Sequence, residues 1–444
     1  MQSSRRSFLR GVASIAGVAS AQTAHAQHVH PQPQPAQRSA SPIAPVPPYQ
    51  FGPGVVPIVS PDVPNMPWRL ENGVKVFDIR VEHVRTELIP GRVMDGWGFN
   101  GNIPGPTIQV TEGDRVRLNL ENRLPEPFSM HWHGLEVPIE QDGVPWISQK
   151  PIAPGETYAY EFTVRQEGTF FYHAHSAMQE MLGMIGMFIA HPREDYSPPV
   201  QHDYGIVLQE WAVLPNNSVP NTANMEFNWL TFNGVAAPLT TPLLARIGSR
   251  VRLRFINLGM DHHPIHLHGN QFVVTGTEGG RTPESAWYRS NTLLVGVAQA
   301  RVVEFEAQYP GAWMIHCHLP HHMMNSMADL LRGRQIMTSE QTEARALGQM
   351  ADLAERGGFR HRHPSPVSPN GAAVPGFPQD AFMEMGMDEV AEKPETHGLP
   401  ENWSAGMMGM MTMVRVLADK DFDEIVAMRK HGTSGEETRR ERHP

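Results

Sequence analysis

The sequence has 444 residues, of which 40% are apolar and 18% are charged, and its formal net charge is −10 at pH 7. This length predicts two or three domains, and the negative charge argues against a protein that binds nucleic acid. A single cysteine rules out an intrachain disulfide, a zinc ribbon and a cysteine-ligated iron–sulfur cluster. No apolar run approaches the ~18 residues of a transmembrane helix, so we expect no membrane insertion. The 23 histidines and 25 methionines make imidazole and thioether metal ligands abundant.

The N-terminus has the pattern of an export signal. Residues Ser4 to Arg10 match the twin-arginine pattern, an apolar stretch follows, and a small-residue cleavage site ends at Ala26. We therefore assign residues 1–26 to a twin-arginine signal peptide and expect a periplasmic or otherwise exported protein. Proline, glutamine, alanine and serine dominate the next segment, so we place a disordered linker at 27–66.

The body of the chain contains two copies of one domain. Four short motifs between residues 99 and 175 recur in the same order, displaced by 133 to 143 residues. His131-Trp132-His133-Gly134, for example, returns as His266-Leu267-His268-Gly269. Ordered matches with a slowly growing displacement indicate a duplicated domain, which we place at 67–192 and at 203–335.

Both copies are predicted to be β-structure. Apolar residues alternate with polar ones in 116–120 and again in 251–255, which is the period-2 pattern of half-buried strands. Glycine and proline turns punctuate such runs, as expected for an all-β sandwich. After domain 2, Ser339 to Arg356 predicts a helix within a helical and loop insertion at 336–405. Met410 to Leu417 predicts a returning strand within the C-terminal tail, 406–444.

Histidine pairs dominate the candidate chemistry. In a strand, side chains two residues apart point to the same face, so each His-x-His pair directs two imidazoles together. The chain has four such pairs, two in each copy at equivalent positions: His131/His133, His173/His175, His266/His268 and His316/His318. Eight imidazoles suit copper, zinc or iron and are too many for one ion, so we expect a metal cluster.

The only cysteine, Cys317, lies between two of these histidines and points to the opposite face. Three further ligand-type residues have a matching spacing: His263, His322 and Met327. A thiolate, two imidazoles and a distant thioether form the ligand set of a blue copper site. His262 and His321 are neighbouring candidates that the spacing favours less.

With these motifs the chain resembles the multicopper oxidases. The segments 131–134, 173–175, 263–269 and 316–327 match the four copper motifs of that family in order, and the similarity spans roughly residues 67–335. The resemblance implies two cupredoxin-like Greek-key β-sandwich domains and four copper ions per functional unit. It assigns the type 1 copper to His263, Cys317, His322 and Met327, and the type 2 copper to His131 and His266. It assigns the type 3 pair to His133, His173, His175, His268, His316 and His318.

The resemblance also implies an activity. In the family, the type 1 copper takes single electrons from a small reductant, and four electrons reduce O₂ to water at the cluster. Related oxidases carry an aspartate that helps to protonate the reduced oxygen. Asp142, nine residues after His133, is therefore our candidate catalytic residue. A turn aspartate before Gly143 is the competing interpretation.

The two copies differ at the type 1 position. Ala174 stands where the second copy has Cys317, so only domain 2 is expected to hold a type 1 copper. Only 88 residues separate His175 from His263, which leaves no room for the middle domain of a three-domain laccase. The chain therefore resembles the small, two-domain laccases. This resemblance implies a homotrimer in which the cluster forms between domain 1 of one subunit and domain 2 of the next.

The methionines leave the electron donor open. Eight of them lie between Met383 and Met413, and thioethers bind Cu(I), so Met260 and Asp261 are a candidate Cu(I) substrate site beside His263. The leading hypothesis is a laccase-type oxidase of phenols and of Cu(I). The alternatives are a periplasmic copper-resistance cuprous oxidase, a copper-sequestration protein and, opposed by Ala174, a two-domain copper nitrite reductase.

Overall fold

The predicted β-structure is confirmed throughout both domains. A computed structural model describes residues 51–213, 217–223, 225, 227–323 and 388–440, all within one unit of the chain. Among these described residues, the helices are α1 (Ala177–Glu180), α2 (Asp419–Arg440) and a few 3₁₀ turns. Within the described part of the chain, no helix has the length and apolar character that crossing a membrane requires.

The strands of domain 1 form two sheets that pack face to face. They are β1 (Trp68–Glu71), β2 (Val74–Ile89), β3 (Arg92–Phe99), β4 (Gly105–Thr111), β5 (Arg115–Asn122), β6 (Met130–His133), β7 (Thr157–Thr163), β8 (Gly168–Ala174) and β9 (Ile185–His191). One sheet has the order β1-β2-β5-β7, with β3 beside β2, and the other has the order β4-β9-β8-β6. Apolar side chains from both sheets, such as Leu118 and Phe188, form the core between them.

Domain 2 repeats this architecture with more strands. They are β10 (His202–Trp211), β11 (Trp229–Phe232), β12 (Leu243–Arg246), β13 (Arg250–Asn257), β14 (His263–Leu267), β15 (Phe272–Thr277), β16 (Gly280–Arg281), β17 (Tyr288–Ser290), β18 (Thr292–Val295), β19 (Gln299–Glu306), β20 (Gly311–Cys317) and β21 (Met411–Leu417). One sheet has the order β11-β10-β13-β19-β15-β16, with β17 beside β15. The other has the order β12-β21-β20-β14-β18 and carries the predicted ligands of domain 2.

The expectation of a half-buried strand is correct for β5 and wrong for β13. Val251 and Leu253 face the domain 2 core as predicted. The alternate residues Arg252 and Arg254 are also buried, because this face of the sheet packs against domain 1, where Arg254 donates a hydrogen bond to Thr169. Strand β13 is therefore covered on both sides.

The expectation of disorder through residue 66 is wrong for residues 51–66. Val59 pairs with Tyr204 and Asn65 pairs with Thr107 as isolated bridges, and Ile58 and Met66 are buried. This segment holds apolar side chains that pack against the neighbouring sheets, which the composition of residues 27–48 does not provide. Residues 1–50, with the predicted signal peptide, lie outside the described residues.

The predicted strand at 410–417 is confirmed as β21, which lies between β12 and β20 in the sheet. The predicted helix at Ser339–Arg356 and residues 336–387 of the predicted insertion lie outside the described residues. The sequence analysis missed α2, which has no clear apolar stripe. Arg246 nevertheless packs over the Phe422 ring of α2 and forms ion pairs with Asp419 and Asp423.

Candidate metal centres

Three buried donor atoms converge at one end of domain 2. His263 opens β14, Cys317 ends β20, and His322 lies in the 3₁₀ turn Pro320–Met323 that follows. The Nδ1 atoms of the two histidines are 3.2 Å apart. The Cys317 Sγ lies 3.7 Å from Nδ1 of His263 and 3.3 Å from Nδ1 of His322. All three side chains are buried and their ligand atoms lie within 4.8 Å of one another, so the structure brings these three predicted residues together.

The chemistry and spacing of this donor set fit a metal ion. Three ligands around an ion at about 2.0–2.3 Å lie about 3.5–4 Å from one another, close to the observed spacing. Burial lowers the pKa of His322 to about 3 and raises the pKa of the Cys317 thiol to about 12. The imidazole is therefore neutral and available, and metal binding must displace the thiol proton. Two imidazoles with one thiolate are the trigonal set of a blue copper site.

Carboxylates hold the outer nitrogens of both histidines. The fully buried Glu210 side chain lies 3.1 Å from Nε2 of His263 through Oε2. Its Oε1 accepts hydrogen bonds from the backbone N–H groups of Met260 and Asp261. The Asp261 carboxylate in turn lies 3.3 Å from Nε2 of His322. Such carboxylate–histidine contacts fix the ring orientation and tautomer of a metal ligand.

Glu210 was not predicted from the sequence. It is the second-last residue of the apolar strand β10, 53 residues before His263, and no motif connects the two. Gly259 is the local signal that could have found it, because a Cβ at that position would overlap the Glu210 carboxylate. Only glycine lets the turn before His263 close over this buried charge.

Replacing Glu210 with alanine is expected to weaken metal binding at this site about 10- to 100-fold. We also expect the free energy of unfolding of the metal-free protein to fall by about 2–4 kcal/mol, because one imidazole and two backbone N–H groups lose their acceptor. Copper titration and denaturant unfolding measure the two effects. Glu210→Gln, which keeps an oxygen acceptor, should recover most of the stability, and the exposed Glu306→Ala serves as the control. Unchanged metal affinity in the alanine variant would contradict a positioning role.

The four predicted histidines of domain 1 lie together. His131 and His133 are on β6, His173 is on β8, and His175 follows β8 directly. His131 pairs directly with His173 across the two strands. The ligand nitrogens of His131, His133 and His173 lie within 4.8 Å of one another, and the His131 ring contacts the His175 ring at 5.5 Å between centroids. We call these four residues the first quartet.

The four predicted histidines of domain 2 form a second quartet in the same way. His266 on β14 pairs directly with His316 on β20, and His268 and His318 follow these strands. The Nε2 atoms of His268 and His316 are 3.1 Å apart. Ring contacts at 5.3–5.6 Å join His318 to His266 and His316. The register thus explains why both His-x-His pairs of a domain face one point.

Backbone carbonyls orient the quartet imidazoles. Four rings place Nδ1 at 2.7–2.9 Å from a carbonyl oxygen: His131 at Asp142, His173 at Ala174, His266 at Asn291 and His316 at Cys317. When Nδ1–H donates to a carbonyl, Nε2 is the nitrogen left to bind a metal ion. Burial also lowers the pKa of His133 to about 4, which keeps that ring neutral. Both quartets therefore fit metal binding.

The two quartets do not meet within the described chain. None of the ring contacts or convergent ligand groups found among the described residues joins a histidine of one quartet to a histidine of the other. Each quartet is also open at one side, because His175, His268 and His318 are exposed. Each domain thus carries half of the predicted cluster.

Two carboxylates lie beside the first quartet. Asp142 binds His131 mainly through its backbone oxygen, and its Oδ1 lies 3.4 Å from Nδ1 of His131. A Cβ at Gly143 would overlap Met130, so the turn interpretation of this segment also has structural support. The sequence analysis missed Glu180, whose Oε1 lies 3.3 Å from Nδ1 of His173. Glu180 lies close to the His173/His175 pair along the chain, and this proximity is the feature of the sequence that could have identified it.

Domain 1 shows which methionine of domain 2 lies at the position expected for the thioether ligand. Cys317 N–H donates to the Met410 carbonyl at 3.0 Å, and at the equivalent point Ala174 N–H donates to the Met184 carbonyl at 3.2 Å. The strand registers agree, since His316 lies opposite Met411 and His173 lies opposite Ile185. The repeat therefore aligns Met184 with Met410, and not with Met327 as the chain spacing suggests. Met327 lies outside the described residues.

Met410 also lies beside the other donors. Its side chain is fully buried in the same core cluster as Cys317, and its N–H donates to the His322 carbonyl at 3.0 Å. The neighbouring Gly409 has a φ of 71°, and a Cβ there would overlap that carbonyl. The repeated dipeptides Gly183-Met184 and Gly409-Met410 are the sequence signal that the spacing argument overlooked.

The methionine-rich tail divides into two parts. Five of its methionines are buried: Met407, Met408, Met410, Met411 and Met413. Packing therefore accounts for Met407, Met408, Met411 and Met413, whereas Met383, Met385 and Met387 lie outside the described residues. The predicted Cu(I) site is partly exposed, and the ligand atoms of Asp261, His321 and His322 lie within 4.8 Å of one another.

Comparisons with known proteins agree with this geometry. Two family models, both described as multicopper oxidase, match residues 81–195 and 213–334, together just over half of the chain. Copper resistance protein A of Pseudomonas syringae pv. tomato is 34% identical over 253 residues, which cover 46% of this chain and 41% of the relative. Laccase-2 of Botryotinia fuckeliana is 32% identical over 241 residues, which cover 49% of this chain and 41% of the relative.

A solved structure of a copper oxidase is also similar to this chain. The blue copper oxidase from Nitrosomonas europaea superimposes with a TM-score of 0.52 at 31% identity, covering 56% of this chain and 81% of that chain. The chain spans only 23% to 41% of the length of the copper resistance proteins that it matches.

Proposed function

The chain belongs to the multicopper oxidase family, and on that basis we propose that it couples one-electron oxidation of a small reductant to four-electron reduction of O₂ to water. The observation that carries this proposal is the buried triad of His263, Cys317 and His322 directly beside a histidine quartet. Cys317 is covalently next to His316 and His318, so the thiolate of one site and two imidazoles of the other share one short segment.

In this proposal the triad holds the type 1 copper. His131 and His266 hold the type 2 copper, and the type 3 pair takes His133, His173, His175, His268, His316 and His318. Bound copper supplies the one-electron transfer and the O₂ reduction. The protein orients the imidazoles through backbone carbonyls and excludes water from the triad by burying it.

We propose that Met410, in place of Met327, would be the thioether ligand of the type 1 site. The repeat register and the hydrogen bond between Cys317 and Met410 support this assignment. The metal ligands would then lie on both sides of a long segment, because residues 323–409 separate His322 from Met410 along the chain.

Replacing Met410 with leucine should raise the reduction potential of the type 1 copper by roughly 60 mV or more, a tenfold change for one electron. Loss of a donor destabilises the more highly charged oxidised ion, and leucine preserves the packing volume. Redox titration of the blue absorption measures the shift. Met327→Leu should leave the potential unchanged, and the reverse outcome would restore Met327 as the ligand.

We further propose that the complete cluster forms between two copies of the chain in a homotrimer. Two observations support this: the quartets do not meet within the described chain, and each has exposed imidazoles. We also propose export by the twin-arginine route to the periplasm, which the motif at Ser4 to Arg10 supports.

Oxidation of Cu(I) is the second candidate function. Asp261 and His321 offer ligand atoms next to His322, the ring through which electrons would enter, and Asp261 is partly exposed. Met260 precedes them and could add a thioether. The similarity to proteins named copper resistance protein A favours this donor.

Oxygen uptake by the copper-loaded chain tests these proposals. We expect about four copper ions per chain, intense blue absorption, and O₂ consumption with a phenol or with Cu(I). His321→Ala should slow Cu(I) oxidation more than phenol oxidation if Cu(I) is the donor. Copper binding without O₂ uptake would indicate sequestration, and nitrite consumption without O₂ uptake would indicate a nitrite reductase. Either result would overturn the proposal.

Asp142→Ala is expected to slow O₂ reduction about 100-fold while the blue absorption remains, because the Oδ1 atom would no longer supply protons at the cluster. Single-turnover reoxidation of the reduced protein by O₂ measures this step. Asp142→Asn keeps a turn-forming side chain without the acid. If the asparagine variant turned over normally, Asp142 would be a turn residue only.

A further inference from the structure

A polar cleft lies between the two domains, away from both quartets and the triad. The cleft is partly open to solvent and has room for about one water-sized molecule or ion. Domain 1 contributes the start of β8, and domain 2 contributes β13, β15, β16 and β19. Its lining residues are Gly168, Thr169, Tyr196, Arg252, Arg254, Thr275, Gly276, Gly280, Arg281 and Val302. Three arginines thus line the cleft, and no carboxylate is among the lining residues.

Three hydrogen-bonding atoms of this lining have no hydrogen-bond partner in the part of the chain that the structure describes. They are Nη2 of Arg252, Nη2 of Arg281 and Oγ1 of Thr275. Arg252 is 2% exposed and Thr275 is fully buried. The nearest carboxylate to the Arg252 atom, Asp195, is 3.8 Å away, which is beyond hydrogen-bond distance. Buried donors without a partner are costly, and their convergence in one cleft indicates an occupant.

The existing ion pairs use the other edges of the same guanidinium groups. Asp203 accepts hydrogen bonds from Arg252 and Arg254, and Glu304 accepts them from Arg252 and Arg281. The Nη2 atoms of Arg252 and Arg281, which both line the cleft, take no part in these hydrogen bonds. Two further unpartnered acceptors, on Glu167 and Asp195, lie near the cleft but not among its lining residues.

Residues of both domains surround the cleft. Tyr196 belongs to the segment that connects β9 to β10, and its ring lies between the guanidinium groups of Arg252 and Arg281, at 4.9 and 4.3 Å. Thr169 is on β8, the strand that ends with His173 and Ala174. Its Oγ1 accepts a hydrogen bond from Arg254 of domain 2.

We propose that this cleft binds one small anion, such as a halide, as a structural ligand of domain 2 at its boundary with domain 1. The anion accepts hydrogen bonds from Arg252, Arg281 and the Thr275 hydroxyl. It thereby partners donors that the ion pairs with Asp203 and Glu304 leave free. The site is independent of the proposed oxidase activity, because none of its residues belongs to the copper sites.

Thermal unfolding of the copper-loaded chain tests this proposal. The melting temperature should rise with chloride or bromide and saturate, compared with gluconate at equal ionic strength, as expected for a ligand of the native state. Thr275→Val preserves the side-chain shape and should weaken halide binding about tenfold. Arg281→Gln should weaken it further. Arg289→Gln, an exposed arginine on neighbouring β17, is the charge-matched control.

A bromide soak of the crystallised protein provides a direct readout. We expect an anomalous peak within hydrogen-bond distance of Arg252 Nη2 and Thr275 Oγ1. A water molecule at that position under saturating bromide would overturn the proposal. A halide response that does not saturate, or that is equal in the wild type and the Thr275→Val variant, would also overturn it. Halide binding at the copper sites would raise the melting temperatures of the wild type and of the Thr275→Val variant equally, so the comparison of the two distinguishes it from binding in the cleft.

Discussion

Cys317→Ser is expected to abolish the blue absorption, remove one copper ion per chain and reduce O₂ uptake at least 1,000-fold, to background. The serine hydroxyl is a hard and poorly acidic ligand that cannot replace the thiolate. Because the side chain is small and buried, we expect the metal-free fold to survive. Visible absorption, copper analysis and oxygen uptake measure the three effects.

The neighbouring His321→Gln variant is the control for colour. It changes an exposed imidazole beside His322, outside the buried triad, and should keep the blue band. If Cys317→Ser kept both its colour and its oxidase activity, the type 1 assignment and the proposed function would fail together.

Mixing two inactive chains is expected to restore activity. His133→Ala disables the first quartet and His268→Ala disables the second, so each variant alone should lack O₂ uptake. In a randomly mixed trimer with clusters between neighbouring subunits, about a quarter of the interfaces combine two intact quartets. Co-expressed variants should therefore recover about a quarter of the wild-type activity.

The oligomeric state must be measured on the same sample. A mixed trimer without activity would mean that each cluster is built within one chain, and it would contradict the proposed assembly. A monomer with full wild-type activity would contradict it equally. Separately purified variants that are mixed without exchange of subunits provide the control.

Much of the metal chemistry follows from the sequence because its determinants are short-range. Residues two apart on a strand share a face, so the four His-x-His pairs define both quartets, and Cys317 between His316 and His318 must point the other way. The domain repeat predicts two similar β-sandwiches. The absence of a thiol at Ala174 likewise limits the predicted type 1 site to domain 2.

Only the tertiary structure identifies the partners that are distant along the chain. Glu210 reaches His263 because β10 pairs in parallel with β13, the strand that leads into the turn before β14. Met410 reaches Cys317 because β21 returns beside β20 after the segment that follows His322. Arg252 and Arg254 are buried because the second face of β13 packs on domain 1. Local periodicity determines on which face of its strand a side chain lies. Strand pairing and domain packing determine which distant residues contact that face.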